Sequence, residues 1–293
     1  MIVAYKARQI AIKCKLKMET KVTVIAMTRE LGCRGIEVAT GLADRLGLRI
    51  IDSEIVANTV AARLGIEESS LLRHVDGSAS IFERWLIDRR KLQRYTSEEI
   101  LQLVQQDNVL IRGWGAASLL REFPQVISVR VCATKAFRVQ TLMERLGVRD
   151  ADALREEIEK YDAAHVRTLR AYFNIEQEDA LLYHIILNTD RLPVEVCIAA
   201  VSQLAQCPKF QDPTRMHSAL ADKLLQAKIN SALAEHISVT EAPNGISVSV
   251  SQGKVFLVGA SSSGGVRDKA EKVARGIVGV SEIDNRILSV PSR

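Results

Sequence analysis

The sequence contains Thr28-Arg-Glu-Leu-Gly-Cys-Arg-Gly-Ile-Glu37, a glycine-containing segment between two apolar patterns of different period. Before it, the β-branched run Val22–Ala26 predicts a buried parallel strand. After it, apolar residues recur at helical spacing from Ile36 to Leu46, and Gly47 follows at the position that commonly ends a helix. We therefore expect a strand, a tight turn and a helix in this order.

The alternation of strand and helix continues along the chain. Leu48–Ile51 predicts a second strand that ends at Asp52, and Glu54–Leu64 predicts a second helix. Later strands are predicted at Val109–Ile111, Val126–Val131 and Ile185–Asn188, and helical segments at Ile81–Arg94, Lys135–Phe173 and Val194–Ala205. This order favours an α/β fold with a parallel sheet and right-handed crossovers.

A second, smaller unit is predicted near the C-terminus. Pro208 and Pro213 lie in a polar setting and indicate a linker over residues 207–215. The pattern then reads helix, strand, strand, helix, strand: Leu220–Leu233, Ile246–Val250, Val255–Val258, Arg267–Ile277 and Ile283–Val290. We therefore expect a basic tail at 1–20, a first domain at 21–206 and an αββαβ domain at 216–293.

Composition and charge narrow the functional classes. Of the 293 residues, 47% are hydrophobic and 26% charged, which is typical of a globular protein. No segment approaches the roughly 18 apolar residues of a spanning helix, and no signal peptide is indicated. Five scattered cysteines without a C-x-x-C pattern indicate neither a disulfide framework nor a zinc site, and the cytoplasm is the expected location.

The net charge of +5 is concentrated at the N-terminus. Residues 1–21 hold six Lys or Arg and one acid, so the remaining residues are balanced. A basic arm of this kind is most often simply solvated, and we expect no nucleic-acid partner. Met18 offers a second start directly before the first strand, so residues 1–17 need not belong to the native protein.

The turn at residues 28–37 is the strongest candidate for chemistry. A tight βα turn aims backbone N–H groups and the positive end of a helix at one point, which is how many proteins hold phosphate. The Walker pattern is not present. No Lys directly follows Gly32 or Gly35, and no Ser or Thr occupies the position that would bind magnesium. A turn with two packing glycines and no ligand is the alternative reading.

Several segments together resemble the cytidylate kinase-like proteins, a branch of the P-loop nucleoside monophosphate kinases. The likeness begins with residues 24–39, similar to the family pattern S-R-E-x-G-S-G-G-x-E-I-A, and continues through residues 46–54 and 109–116. It includes Arg138, Asp162 and residues 170–173, and ends near Asp190. The resemblance implies a P-loop kinase-like parallel sheet with helices on both faces.

The resemblance also implies roles for individual residues. The set implied to bind the nucleotide cofactor is Arg29, Gly32, Cys33, Arg34, Gly35 and Ile36, and the implied cofactors are ATP and Mg²⁺. The implied catalytic set is Arg34, Asp52, Arg138, Arg167 and Arg170, the last three in the region of the mobile lid together with Arg145. The alternative role for Asp52 is to cap a helix. The alternative for each lid arginine is a position on a solvated helix face.

Three positions depart from the family pattern near the expected phosphates. Arg34 stands where the family usually has Gly, Trp114 replaces the Arg of G-R-G, and His165 replaces an Arg three residues after Asp162. Phosphoryl transfer depends on positioning and charge neutralisation, so lost cations are costly. Arg34 either restores a charge at the loop or fills the space of the phosphates.

Residues 216–290 resemble a BON domain, a small α+β (αββαβ) unit without recognised catalytic residues. The likeness rests on residues 244–250, 253–259, 270–280 and 283–287. It implies an interaction module for a protein or phospholipid partner. We thus carry two hypotheses: a kinase that transfers phosphoryl from ATP to a pyrimidine monophosphate such as CMP, and an inactive nucleotide sensor or scaffold acting through the C-terminal domain. A homo-oligomer is left open.

Overall fold

The computed structural model describes residues 22–75, 87–174, 176–238, 241–242, 245–261 and 265–289. The predicted tail at 1–20, and the first part of the predicted helix Ile81–Arg94, lie outside the described residues.

Five strands form a parallel sheet at the centre of the larger unit. They are β1 Val24–Arg29, β2 Arg49–Ile51, β3 Val109–Arg112, β4 Val126–Cys132 and β5 Ile185–Asn188. Their order across the sheet is β2-β3-β1-β4-β5, and each neighbouring pair is parallel. The predicted parallel α/β sheet is confirmed, and its chain order reverses around β1.

Helices connect these strands. They are α1 Gly35–Leu46, α2 Ser53–Leu64, α3 Glu68–Val75, α4 Arg89–Val104, α5 Ala116–Leu119, α6 Lys135–Leu146, α7 Ala151–Thr168 and α8 Val194–Ala205. Helices α1, α2 and α8 lie at the predicted positions, whereas α4 continues ten residues beyond the predicted end at Arg94 and α5 was not predicted. The single helical region expected from Lys135 to Phe173 is divided, because Gly147 adopts a left-handed conformation and ends α6. A π-helical turn, Leu169–Phe173, extends α7.

Alternate residues of β1 enter two different cores, so the sheet is covered on both faces. Val24 and Ala26 belong to a cluster with α2, α4 and α5, whereas Ile25 and Met27 belong to a cluster with α1 and α8. All four side chains are at most 1% exposed. A central strand buried on both sides explains the continuous apolar run in the sequence.

The C-terminal unit is an αββαβ layer, as predicted. Helix α9 (Pro213–His236) and α10 (Val266–Arg275) cover strands β6 (Ile246–Ser251), β7 (Lys254–Ser261) and β8 (Glu282–Ser289). Strand β7 lies in the middle, antiparallel to β6 and parallel to β8.

Helix α9 belongs to both cores. Met216, Leu220 and Leu224 are buried with the residues of the large sheet, whereas Ile229 and Leu233 are buried in the C-terminal core. The segment predicted as a linker contains a 3₁₀ turn, Pro208–Phe210. The Phe210 ring is buried there and meets His184 edge to face at 5.2 Å. In the part of the chain that the structure describes, no helix is long and apolar enough to cross a membrane.

Candidate functional site

Three arginines stand at the carboxyl ends of three adjacent strands. Arg29 ends β1, Arg112 ends β3 and Arg130 lies near the end of β4. The parallel register pairs Met27 with Arg112 and Thr28 with Arg130, so all three reach the same edge of the sheet. Ligands of open α/β sheets bind at this edge, where the chain order reverses.

A cleft of about 290 Å³ opens beside this edge. Arg29 and Arg112 line it with Trp114, Tyr161 and His165; Thr28, Ser53, Glu54, Leu72, Val75 and Gly113 complete it. The rings of Tyr161 and His165 are nearly parallel, with centroids 5.9 Å apart and an interplanar angle of 11°. The cleft therefore combines cationic groups with an aromatic wall.

Arg112 is a largely buried cation of the cleft. Burial lowers the pKa of its guanidinium, and the positive charge of Arg29 lowers it further. Its Nη2 lies 3.8 Å from the Asp52 carboxylate, but its buried Nε has no hydrogen-bond partner. A buried donor without a partner is costly, and an anion between Arg29 and Arg112 would remove both penalties.

Asp52 and Trp114 form hydrogen bonds that fix the start of α2 beside the cleft. The Asp52 carboxylate accepts the Ile55 N–H at 3.3 Å and caps α2, which is the alternative role that the sequence left open. Trp114 is 2% exposed and adopts a left-handed backbone with φ 54°. Its indole N–H donates to the Ser53 carbonyl at 3.2 Å, so the β3–α5 turn is tied to the start of α2.

The β1–α1 loop depends on close backbone contacts at its glycines. A Cβ on Gly32 would lie 2.7 Å from the carbonyl oxygen of Arg138, and φ at Gly32 is +80°. A Cβ on Gly35 would lie 2.8 Å from the Cβ of Arg29. Glycine is thus required at both positions for packing.

Cys33 lies beneath the loop rather than in its opening. Its side chain is fully buried, and its thiol donates to the Val131 carbonyl at 3.3 Å. Burial raises the pKa of this thiol to about 11, so the group is neutral and unreactive at pH 7. Its backbone N–H donates to the Glu30 carbonyl, and its carbonyl accepts the Thr189 hydroxyl at 2.7 Å.

Arg34 and Ile36 lie at the start of α1. Arg34 adopts the left-handed conformation, φ 57° and ψ 21°, which explains why glycine suits this position. Its guanidinium is exposed and 3.4 Å from Glu37, so it does not fill the loop. Ile36 is 39% exposed, and α1 begins without a side-chain cap.

Arg138 is an internal brace between the loop, α6 and α7. It is 4% exposed, donates through Nε to the Leu31 carbonyl at 2.6 Å, and forms two hydrogen bonds with Asp162 at 2.7 and 2.9 Å. Burial would lower the pKa of Arg138, but the Asp162 hydrogen bonds and charge outweigh it, so the pKa is raised. Glu30 lies 3.6 Å away.

The other arginines expected in the lid are not brought to the cleft. Arg167 and Arg145 are exposed, on α7 and α6. Arg170 is exposed in the π-helical turn and forms two hydrogen bonds of 2.7 Å with Glu176. The structure thus places the predicted lid arginines on solvated faces, apart from Arg138.

Arg112, Arg130 and Glu30 were not among the expected site residues. Glu30 accepts from Arg130 at 2.9 Å and from the Ala133 N–H at 3.2 Å, so it holds the ends of β1 and β4 together. A sequence signal did exist for Arg112, which directly follows a predicted parallel strand, and for Arg130, which lies one residue before the end of another. Among the described residues, no group of three or more His, Cys, Asp or Glu could hold a metal ion.

Comparison with known proteins agrees with this architecture. The model of the cytidylate kinase-like family matches residues 24–191, which is more than half of the chain. The chain belongs to this family. The model of the BON domain matches residues 221–291. The family and the domain expected from the sequence are therefore both confirmed.

Individual relatives are distant. The cytidylate kinase of Pyrobaculum aerophilum is 24% identical over 175 residues, covering 58% of this chain and 86% of the relative. That of Methanocaldococcus jannaschii is 22% identical over 167 residues, covering 56% and 87%. The crystal structure of an uncharacterized protein from Eubacterium ventriosum superposes with a TM-score of 0.51 at 19% identity, covering 63% of this chain and 98% of that chain. At such identity this likeness shows a shared fold alone.

Proposed function

We propose that this cytidylate kinase-like protein binds a nucleoside monophosphate in the cleft at the carboxyl edge of the sheet. The observation that carries this is the buried, unpartnered Nε of Arg112 beside Arg29. A phosphate monoester there pairs with both guanidinium groups, because planar guanidinium matches phosphate oxygens. The aromatic wall of Trp114, Tyr161 and His165 suits a stacked base.

ATP and Mg²⁺ are the cofactors that the family implies, and the β1–α1 loop fits them poorly. The uncapped start of α1 leaves N–H groups for a single phosphate. Within residues 29–37, all of which the structure describes, no Lys or hydroxyl follows the glycines. Arg34 is paired with Glu37, whose carboxylate stands in the first turn of the helix. A magnesium-bound triphosphate therefore lacks its usual partners here.

The cleft is cationic, whereas the β1–α1 loop lacks the side chains that usually bind a magnesium triphosphate. We place the chain with nucleotide-responsive proteins, in which the monophosphate is a bound signal rather than a rapidly converted substrate. The second candidate is phosphoryl transfer from ATP and Mg²⁺ to CMP, which membership of the family favours.

Titration calorimetry with CMP tests the proposal. We expect wild-type protein to bind CMP, and Arg112→Ala to weaken binding about 10- to 100-fold, because a charge-assisted hydrogen bond is lost. Arg170→Ala is the matched control, since Arg170 is exposed and away from the cleft lining. Equal losses in both variants, or no CMP binding by wild type, would contradict the proposal.

A coupled ADP-release assay on the same protein separates the two candidates. With ATP, Mg²⁺ and CMP together, we expect release no faster than with ATP and Mg²⁺ alone. CMP-dependent release that disappears in Arg112→Ala would instead establish the kinase.

The C-terminal unit is proposed to recruit the partner. BON domains are general interaction modules, and a protein or a phospholipid surface is the partner class that we propose for residues 221–291. Flotation with vesicles of phosphatidylcholine, with and without phosphatidylglycerol, tests the phospholipid arm. The cytoplasmic location and the lack of a nucleic-acid partner stay predictions.

A further inference from the structure

A second cleft, of about 410 Å³, lies between the large unit and the C-terminal unit. The start of α4 forms one wall, with Arg90, Lys91 and Arg94. The end of α9 and the start of β6 form the other wall, with Leu233, Ile237 and Ile246. It shares no lining residue with the cleft at the edge of the sheet.

The three cations of this cleft have no counterion among the described residues. No ion pair or hydrogen bond of the Arg90, Lys91 or Arg94 side chain is present in that part of the chain. The Nε of Arg94 is buried without a partner. Like charges one turn apart on a helix repel, so Arg90 and Lys91 each destabilise the start of α4 through Arg94. A bound anion would reduce this repulsion.

The carboxylate that lines the cleft does not neutralise them. Asp88 lines the cleft, but its Oδ1 accepts the backbone N–H groups of Arg90 at 2.8 Å and Lys91 at 3.2 Å. It is therefore engaged as the N-cap of α4. The cleft is cationic, because its lining, as far as the structure describes it, contains three positive side chains and a single carboxylate, which already accepts two backbone N–H groups.

The opposite wall is apolar. Leu233 is 5% exposed, Ile237 9% and Ala242 5%, and Ile246 packs against the same core. An ion alone would leave this apolar wall in contact with water. A molecule with an anionic and an apolar part would pair with the cations of one wall and shield the other wall from water. The volume exceeds that of the monophosphate cleft, so a molecule of nucleotide size fits.

We propose that the cleft between α4 and α9 binds a small organic phosphate that carries an apolar or aromatic group. Its phosphate pairs with Arg90, Lys91 and Arg94, and its apolar part lies against Leu233, Ile237 and Ile246. Such a ligand bridges the two units. The site is independent of the proposed monophosphate cleft, since none of its residues line that cleft.

Calorimetry of the full chain with 1-naphthyl phosphate as the probe tests the site, with inorganic phosphate and 1-naphthol as ligand controls. We expect 1-naphthyl phosphate to bind at least tenfold more tightly than either control, because only it satisfies both walls. Saturating CMP leaves this binding unchanged if the sites are separate.

Arg94→Gln and Arg90→Gln are each expected to weaken probe binding at least tenfold. Arg275→Gln is the matched control, since Arg275 is an exposed arginine of α10 and lies outside the cleft. Arg90 is exposed, so Arg90→Gln tests the site even if Arg94→Gln fails to fold. The proposal is overturned by an equal loss in Arg275→Gln, by a loss in Arg112→Ala instead, or by an affinity of wild type no better than for the control ligands.

Discussion

Gly32 shows how one backbone contact limits the choice of residue in the β1–α1 loop. Its α-carbon approaches the Arg138 carbonyl so closely that a methyl group has no room. Arg34, two positions later, tolerates a left-handed backbone without such a contact, at a cost of about 1–2 kcal/mol. Packing at Gly32 is therefore the stricter requirement.

We predict that Gly32→Ala lowers the free energy of unfolding by roughly 2–4 kcal/mol, from overpacking and left-handed strain together. The matched control is Gly147→Ala. Gly147 has φ +67°, and a Cβ added there would meet no atom within 4 Å, so only the conformational cost of about 1–2 kcal/mol applies. Urea unfolding of both variants measures the difference, and equal losses would show that the Arg138 carbonyl contributes nothing.

Helices α6 and α7 are held to the loop by the ion pair of the buried Arg138 with the half-buried Asp162. Arg138 connects the Leu31 carbonyl with the Asp162 carboxylate, and its own side chain is only 4% exposed. This placement favours a positioning role over contact with a transferred phosphoryl group.

We expect Arg138→Leu to lower the free energy of unfolding by about 1–3 kcal/mol, because the Leu31 carbonyl and the half-buried Asp162 carboxylate lose their partner. Arg145→Leu on the same helix is the control, and there a change within about 0.5 kcal/mol is expected for an exposed residue. Thermal unfolding followed by circular dichroism checks both. A stable Arg138→Leu variant would make Arg138 a candidate catalytic residue again.

The turn after α9 is held by the Glu241 carboxylate. It accepts the Ser238 N–H at 2.8 Å and pairs with Lys269 of α10 at 3.1 Å. Hydrogen bonds from Ser238 first, and then Lys269, lower the pKa of Glu241 from 4.5 to about 2.

A lowered carboxyl pKa predicts a defined pH dependence of stability. The contribution of Glu241 is complete above pH 4.5 and is lost as the pH falls from 4.5 through about 2, because over this interval the unfolded state binds a proton more readily than the folded state. We expect Glu241→Gln to be less stable than wild type at pH 7 and to lose less stability over that interval. Acid titration followed by far-UV circular dichroism checks this, and parallel curves for the two proteins would refute it.

Helix α9 makes the two units interdependent. Its first half completes the core of the large sheet, and its second half completes the C-terminal core. Polar contacts reinforce the joint: Tyr95 donates to Glu235 at 2.8 Å, and Lys223 pairs with Glu122 at 2.9 Å. A cut at residue 206 would therefore remove Leu220 from a core in which it is fully buried.

We predict that the full chain unfolds in one calorimetric transition. Leu220→Ala and Leu233→Ala, in the two halves of α9, should each lower its midpoint, with a loss of about 2–5 kcal/mol for a buried leucine. Two separate transitions, of which each variant moves only one, would show that the units unfold independently.

Much of the fold was predictable from local pattern. The strand Ile185–Asn188 and the helix Val194–Ala205 have the predicted bounds, because each is a strongly apolar run that is bounded by polar or turn-forming residues. The division of the Lys135–Phe173 region at Gly147 was missed, since one glycine in a charged helical pattern does not by itself indicate a break.

The candidate site was only partly predictable, for a different physical reason. Periodicity reports which residues are buried and which turns are tight, so the loop with Gly32 and Gly35 was found from the sequence. It does not report which distant residues meet. Arg29, Arg112 and Arg130 are far apart in the chain and converge only because three parallel strands end at one edge.

The amino-acid pattern alone thus established the parallel α/β unit, the αββαβ unit and the glycine turn, because these follow from short-range periodicity and backbone sterics. Tertiary packing alone decided that Arg138 is a buried brace, that Arg112 has a buried donor without a partner in the cleft, and that α9 contributes to two cores. Charge and burial at a site are properties of long-range contacts, and a linear pattern does not contain them.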